Sequence, residues 1–279
     1  LNCPHCYHLP DNRSVDRSIE SIVEQVKKIE CPNIMLAGAE PTVRKDILEV
    51  IKAIRDCGKS VLILTNGVKF ADEEFVKQIK QAGVDGVNIG LNHPDYQGLV
   101  VHRKQLEGII NCIKHGVHIE YIGNTAESKQ QLEYIVDEMQ HLAPAADQIR
   151  IRFGSNIGRA PDEPLRTLSD NYKELKSVAT ERGYDVEWLR GDDNIYHIML
   201  KVGKATVRLI QWPDVNNIVM EELQSGPWCQ FYDGPITNFV HQVITRDAYI
   251  NKKLSVLDTC PEQYQYARQN ELYGVFDDE

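Results

Sequence analysis

Residues 1–8 read LNCPHCYH: Cys3 and Cys6 stand in C-x-x-C spacing with His5 between them and Tyr7 and His8 directly after. A close thiol pair has three chemical uses: a zinc knuckle, a redox couple, or part of an iron–sulfur loop. Structural zinc needs about four ligands, commonly a second C-x-x-C or a histidine pair at matching distance. Cys229 and Cys260 are isolated and far downstream, and His5 and His8 lie too close to Cys3 and Cys6 to close a knuckle of usual spacing. A thioredoxin-like pair sits at a strand-to-helix turn of a short fold, which the rest of this chain does not match.

Downstream of the pair runs a long alternation. "DRSIESIVEQVKKIE" spaces Ile19, Ile22, Val23, Val26 and Ile29 as one face of a helix. "CPNIMLAGAEPT" is a short apolar run ending in glycine and proline, hence a strand and a turn. "VRKDILEVIKAIRDCG" puts Ile47, Val50, Ile51 and Ile54 on one face and stops at Gly58, and "SVLILTNG" is a buried strand ending in an Asn-Gly turn. The pattern continues through helix "DEEFVKQIKQAG", strand "VDGVNIGLN", helix "RKQLEGIINCIKHG", strand "VHIEYIG", helix "ESKQQLEYIVDEMQHLA" and strand "DQIRIRFG". Strand–helix units joined by short turns predict a parallel sheet with helices packed outside it.

After Gly154 the rhythm breaks. "SNIGRAPDEP" reads as a loop and "LSDNYKELKSVATERG" as a further helix. From about Asp185 the chain turns strand-rich, with a hairpin expected at Val202-Gly203-Lys204. The expected organisation is a sheet domain over 1–154 and a smaller α+β cap over 155–279, in which Trp228, Cys229, Phe231 and Tyr232 form either ordinary core or a cover for the sheet domain.

The 279 residues are 42% hydrophobic, enough for a sizeable core, and no apolar run approaches the ~18 residues of a membrane span. A formal charge of −10 gives no global attraction to nucleic acid or anionic lipid. Seven scattered cysteines, an odd number, fit reduced thiols better than a disulfide framework, and Cys31, Cys57 and Cys112 read as small hydrophobes. The expected compartment is the cytoplasm.

"NCPHCYH", then a strand ending "AGAEPT", then a strand ending "LTNG" resembles the radical S-adenosylmethionine (SAM) superfamily. The resemblance implies an α/β fold, a partial (β/α)6 barrel whose C-x3-C-x2-C signature comes after its first strand. Cys3 and Cys6 take the second and third cysteine positions, which places the first cysteine and the first strand upstream of Leu1. It implies a single 4Fe-4S cluster held in part by Cys3 and Cys6, with SAM chelated at an open iron. Reductive cleavage of SAM would then give a 5'-deoxyadenosyl radical that removes hydrogen from a small-molecule or peptide substrate. A flavodoxin- or ferredoxin-like donor would supply the electron. The alternative is a degenerate relative that binds SAM, or nothing, in a regulatory or scaffold role.

The resemblance also implies site residues. His5 packs near the adenine. Gly38-Ala39-Glu40-Pro41 matches the family's Gly-Gly-Glu-Pro turn, which meets the SAM methionyl amino group, with Ala39 replacing the second glycine. Thr65, Asn66, Asn88 and Asn92 lie about the carboxyl ends of parallel strands, where ligands bind in this architecture. They serve either the SAM ribose and carboxylate or only turns. Gly123 fits the glycine-rich motif of a later strand, whereas Glu127 is out of register. Period-two alternation puts Arg150 and Arg152 on one strand face, from which Arg152 reaches a carboxylate or phosphate in the cavity or pairs with outer acidic groups. "LNHPDYQG" at the mouth offers His93, Asp95 and Tyr96 as substrate-side catalytic candidates or as plain polar surface.

Overall fold

The computed structural model describes residues 17–28, 32–37, 40–153, 168–191, 197–210, 228–230 and 236–238. The alternation legible in the sequence becomes helix α1 (Ile19–Val26), strand β1 (Asn33–Leu36), α2 (Ile47–Asp56), β2 (Ser60–Thr65), α3 (Glu73–Ala82) and β3 (Gly86–Gly90). A one-turn helix α4 (Pro94–Gln97) precedes α5 (Leu99–Lys114), β4 (Ile119–Ala126), α6 (Lys129–Leu142) and β5 (Gln148–Phe153). Side-chain caps start the helices where the sequence offers them: Ser18 accepts from Ser21 N–H, Asp72 from the N–H groups of Glu74 and Phe75, and Ser128 from Gln131 N–H.

Strands β1 to β5 lie side by side in chain order and pair in parallel. Right-handed crossovers between sequential parallel strands return every helix to the same side of the sheet, the arrangement of a barrel wall. Period-two burial agrees: Val61 and Ile63, Val87 and Ile89, and Ile149 and Ile151 are buried with the apolar faces of the helices in one core. Their alternates, among them Leu62, Leu64, Arg150 and Arg152, look to the other face.

Beyond β5 come α7 (Leu168–Glu181), β6 (Val186–Gly191), β7 (His197–Val202) and β8 (Ala205–Ile210). The expected hairpin is present: Val202 pairs Ala205 across Gly203-Lys204, and Gly203 has φ 54°, a conformation glycine adopts without strain. The hairpin does not form a sheet of its own. β8 pairs in parallel with β5, and β7 and β6 continue the sheet antiparallel, giving eight strands ordered β1-β2-β3-β4-β5-β8-β7-β6. Val207 and Leu209 alternate in phase with Ile149 and Ile151, so this extension continues the same core. The short strands β9 (Trp228–Gln230) and β10 (Ile236–Asn238) pair antiparallel. The remaining expectations for the C-terminal region, including the environment of Phe231, Tyr232 and Cys260, lie outside the described residues. Among those residues no helix is long and apolar enough to cross a membrane. Cys112 is fully buried and its thiol is pushed up to about 12 by desolvation, in keeping with a role as a small hydrophobe.

α3 and α5 are tied end to end by Glu73. Its carboxylate accepts from Lys114 Nζ at 2.8 Å and His115 Nε2 at 3.0 Å, and these hydrogen bonds hold its pKa at about 2. A carboxyl whose folded pKa is depressed stabilises the fold above its unfolded value and loses that contribution as pH falls through the folded one. Between about pH 4.5 and about 2 the Glu73→Gln variant should therefore lose less stability than the unmodified chain, read as the acid dependence of the urea midpoint.

Candidate active site

The turn after β1 and the carboxyl end of β2 converge on Glu40. It caps the short turn Pro41–Val43, with Pro41 at the first turn position, where its missing N–H is not needed. Glu40 Oε1 accepts from Thr42 N–H at 3.1 Å, Thr42 O–H at 2.6 Å and Thr65 O–H at 2.8 Å, while Oε2 accepts from Asn66 N–H at 2.7 Å. One ionised side chain thus fastens the loop after β1 to the end of β2 through charge-assisted hydrogen bonds. Lys69 repeats the tie by donating to Thr42 O at 2.8 Å. Asn66 closes its own turn by accepting from Val68 N–H at 2.9 Å, and Gly67 N–H donates to Thr65 Oγ1. Gly67 sits at φ 75°, and a Cβ there would lie 2.8 Å from Ile89 Cγ2, so the turn demands glycine on two counts.

A polar stripe on α5 holds these loops from behind. His102, Gln105, Gly108 and Asn111 recur at three-residue spacing and are all buried. Gln105 Nε2 donates to Asn66 O and Gly90 O, each at 2.9 Å, joining the loops after β2 and β3. Asn111 Nδ2 donates to Phe70 O and Ala71 O. Gly108 lets the helix backbone approach, since a Cβ there would lie 2.6 Å from Gly67 O. His102 Nδ1 lies 3.0 Å from Asn92 O. A carbonyl only accepts, so Nδ1 carries the proton, and in the neutral ring Nε2 accepts the Tyr134 hydroxyl at 2.7 Å. Burial, then the Glu138 carboxylate, pushes the Tyr134 phenol up to about 12, which keeps it a donor.

The sequence candidates separate into groups. Glu40, Pro41, Thr65 and Asn66 come together at the end of β2. Asn92, just beyond β3, accepts Thr125 N–H on Oδ1 at 3.2 Å and joins the loop after β3 to β4. Asn88 is inside β3 and fully buried; its Nδ2 donates to Glu120 Oε2 at 3.1 Å, and its Oδ1 has no hydrogen-bond partner among the described residues. Gly123 on β4 lies in register with Gly90 on β3. Arg152 shares its sheet face with Arg150, whose guanidinium stacks 3.6 Å from the Tyr121 ring centroid.

The stretch "LNHPDYQG" is shaped by capping. His93 Nδ1 accepts from Asp95 N–H at 3.2 Å and its ring meets Tyr134 edge-on at 4.8 Å. His93 is thus buried as the cap of α4, whereas the Asp95 side chain is 71% exposed. Tyr96 lies within α4. Cys3, His5, Cys6, Gly38 and Ala39 lie outside the described residues. Residue-type reasoning missed His102, Gln105, Asn111 and Tyr134. The available signal was three-residue polar spacing within a helix that elsewhere leaves Ile110 and Ile113 exposed.

The described residues fit a SAM-sized group at the strand ends. Gly90 leaves room above the strand end: a Cβ there would meet only Thr65 O, at 3.7 Å, while at Gly123 a Cβ would lie 3.5 Å from the Tyr121 ring. Asn88 Oδ1 is a buried acceptor suited to hydroxyl or amino donors of the kind SAM carries.

The family model described as the Radical SAM superfamily matches residues 1–139. A 7,8-dihydro-6-hydroxymethylpterin dimethyltransferase from Methanocaldococcus jannaschii is 33% identical over 134 residues, covering 42% of this chain and 26% of the relative. A probable GTP 3',8-cyclase from Pyrococcus abyssi is 35% identical over 99 residues, covering 34% of this chain and 32% of the relative. The chain therefore spans about a third or less of the length of these relatives. The solved structure of Streptococcus suis SuiB bound to the precursor peptide SuiA shares the fold, with a TM-score of 0.52 at 17% identity, covering 65% of this chain and 44% of that one.

Two substitutions test the node. Glu40→Ala removes the acceptor for four donor groups and should lower stability by roughly 1–3 kcal/mol, measured by urea unfolding. Gly67→Ala forces a side chain into a left-handed backbone and against Ile89; a loss above about 1 kcal/mol is expected, seen as a lower melting temperature.

Proposed function

The chain belongs to the radical SAM superfamily, and on that premise we propose that it cleaves SAM reductively to act on a small-molecule substrate. In this reading Cys3 and Cys6 are two of the ligands of a 4Fe-4S cluster, and SAM lies across the carboxyl ends of β1 to β4. The observation that carries it is the Glu40 carboxylate fastening Thr42, Thr65 and Asn66 beneath those ends. When bound, the cluster would supply the electron for reductive cleavage of SAM, and with it the radical chemistry that would act on the substrate.

The chain's residues then bind, orient and shield. By the family resemblance of their motifs, Gly38 and Ala39 would serve the methionyl end of SAM and His5 its adenine. Glu40 acts as a positioning residue, because its oxygens are already committed to Thr42, Thr65 and Asn66. Asn92 fixes the rim between β3 and β4, Asn88 offers its free acceptor to a SAM hydroxyl, and Gly123 gives close approach. Beyond β3 His93 caps α4, which carries Tyr96 and, 71% exposed, Asp95 where a substrate could meet it. Preorganisation of this kind is where a protein contributes to cofactor chemistry. A small molecule is favoured as substrate because the named relatives act on a pterin and on GTP. A flavodoxin- or ferredoxin-class protein would deliver the electron.

The test is anaerobic reconstitution of the full-length protein, with iron and sulfide quantitation and assay of 5'-deoxyadenosine under dithionite. Close to four irons per chain with 5'-deoxyadenosine formed, both lost in Cys6→Ala, is expected for a cubane cluster of about four irons. A well-folded protein without cluster or cleavage would instead make the chain a SAM-binding or scaffold relative.

A further inference from the structure

We propose that Arg44 is a positioning residue for SAM cleavage: its guanidinium fastens the start of α1, and with it the end of the segment that carries Cys3 and Cys6, to the turn that carries Glu40. The inference rests on the proposed function, in which that turn and those cysteines are the two sides of the SAM site.

Arg44 closes the turn that Glu40 opens. Its backbone N–H donates to Pro41 O at 3.2 Å, and Val43 N–H donates to Glu40 O at 3.3 Å. The side chain, 14% exposed, works in two directions. Nε and Nη2 donate to Asp46 Oδ1 and Oδ2 at 2.7 and 2.8 Å, a bidentate fork. Nη2, which has two N–H groups, also donates to Arg17 O at 2.8 Å, across 27 residues of sequence. Arg17 directly precedes Ser18, the N-cap of α1, and the chain before it leads back to Cys6. Glu40 holds Thr65 and Asn66 in turn, so a chain of bonds runs from the entry to α1, through the Glu40–Arg44 turn, to the end of β2.

Two further observations set this arrangement apart from ordinary helix capping. Asp46 occupies the N-cap position of α2, where an aspartate commonly accepts from the first backbone N–H groups, yet its side chain makes no such bond. Both its oxygens serve Arg44 instead, and that hydrogen bond leads the lowering of its pKa. Nor does α1 depend on the bridge for its own start or seat. Ser18 caps it by accepting from Ser21 N–H, Val26 is buried in the core, and Ile19 and Ile22 pack against that core. The bond to Arg17 O therefore fixes where the chain enters α1 relative to Glu40. A guanidinium suits this task because its planar fork holds Asp46 and Arg17 O at once, in set directions.

The experiment compares the unmodified full-length protein with Arg44→Lys, Asp46→Asn and Ser18→Ala. Arg44→Lys keeps the charge and loses the fork, whereas Ser18→Ala loosens the start of α1 and leaves the bridge in place. On cluster-free protein, hydrogen–deuterium exchange in Arg44→Lys should quicken at least about fivefold both at Ser21 and Ile22 and at Thr42 to Arg44; in Ser18→Ala it should quicken only at Ser21 and Ile22. On reconstituted, reduced protein, Arg44→Lys should weaken SAM binding at least about tenfold and alter the change that SAM makes in the paramagnetic resonance of the cluster. Asp46→Asn should lie between it and the unmodified protein, and Ser18→Ala close to the latter. Folded Arg44→Lys with unchanged SAM binding and resonance would overturn the proposal. Equal losses in Ser18→Ala would overturn it too, by assigning the effect to the order of α1 alone. Should the melting curve show that Arg44→Lys does not fold, Asp46→Asn decides by the same criteria. Unmodified protein that neither holds a cluster nor cleaves SAM would count against the proposed function; the exchange comparison then still decides whether Arg44 joins the two segments, and quickening confined to Ser21 and Ile22 would show that it does not.

Discussion

The Glu40 carboxylate is the constraint on which the mouth of this sheet depends. Parallel strands end in loops with unpaired backbone groups, and loops free to move cannot present a surface of fixed shape. Here one negative charge gathers two hydroxyls and two amides from consecutive strand ends. The glutamate of the Gly-Ala-Glu-Pro stretch thus acts on the protein itself. A carboxylate satisfied by four donors has little reason to leave them, because each departure strands a donor.

The second support comes from the unusual division of labour on α5. A helix packed on a sheet ordinarily buries an apolar stripe. This one buries His102, Gln105 and Asn111 beside Ile109 and Cys112, while Ile110 and Ile113 stay exposed. The buried amides answer carbonyl groups at the end of β3 and in the turn after β2, namely Gly90 O, Asn66 O and Phe70 O. Tyr134 extends the network to α6 through His102 and the Asn92 loop. Satisfying buried carbonyls at a sheet end is worth more than the few methylenes an apolar stripe would add, since an orphaned buried polar group costs about 1–3 kcal/mol.

Much of the fold was legible because its signals are periodic. The helix faces at Ile47, Val50, Ile51 and Ile54 and the alternation of Ile149, Ile151 and Phe153 are repeated tests of one hypothesis. The position of the 186–210 strands was not legible. Strand pairing is a long-range choice, and nothing local tells β8 to lie beside β5. Of the site, Glu40, Thr65 and Asn66 were findable from the Gly-Ala-Glu-Pro and Asn-Gly stretches. Their mutual hydrogen bonds were not, because residues 25 or 26 apart in sequence meet only through the parallel register. His93 reads as an acid–base candidate from residue type; that its Nδ1 accepts Asp95 N–H at the start of α4 was not legible there.

The most direct measurement is an anaerobic crystal structure of the reconstituted protein with SAM bound. SAM is expected across the carboxyl ends of β1 to β4, its methionyl end at the Gly38–Pro41 turn, with Glu40 still holding Thr65 and Asn66. SAM bound away from those strand ends, or Glu40 released from Thr65 and Asn66 to hold it, would contradict the role assigned to this carboxylate.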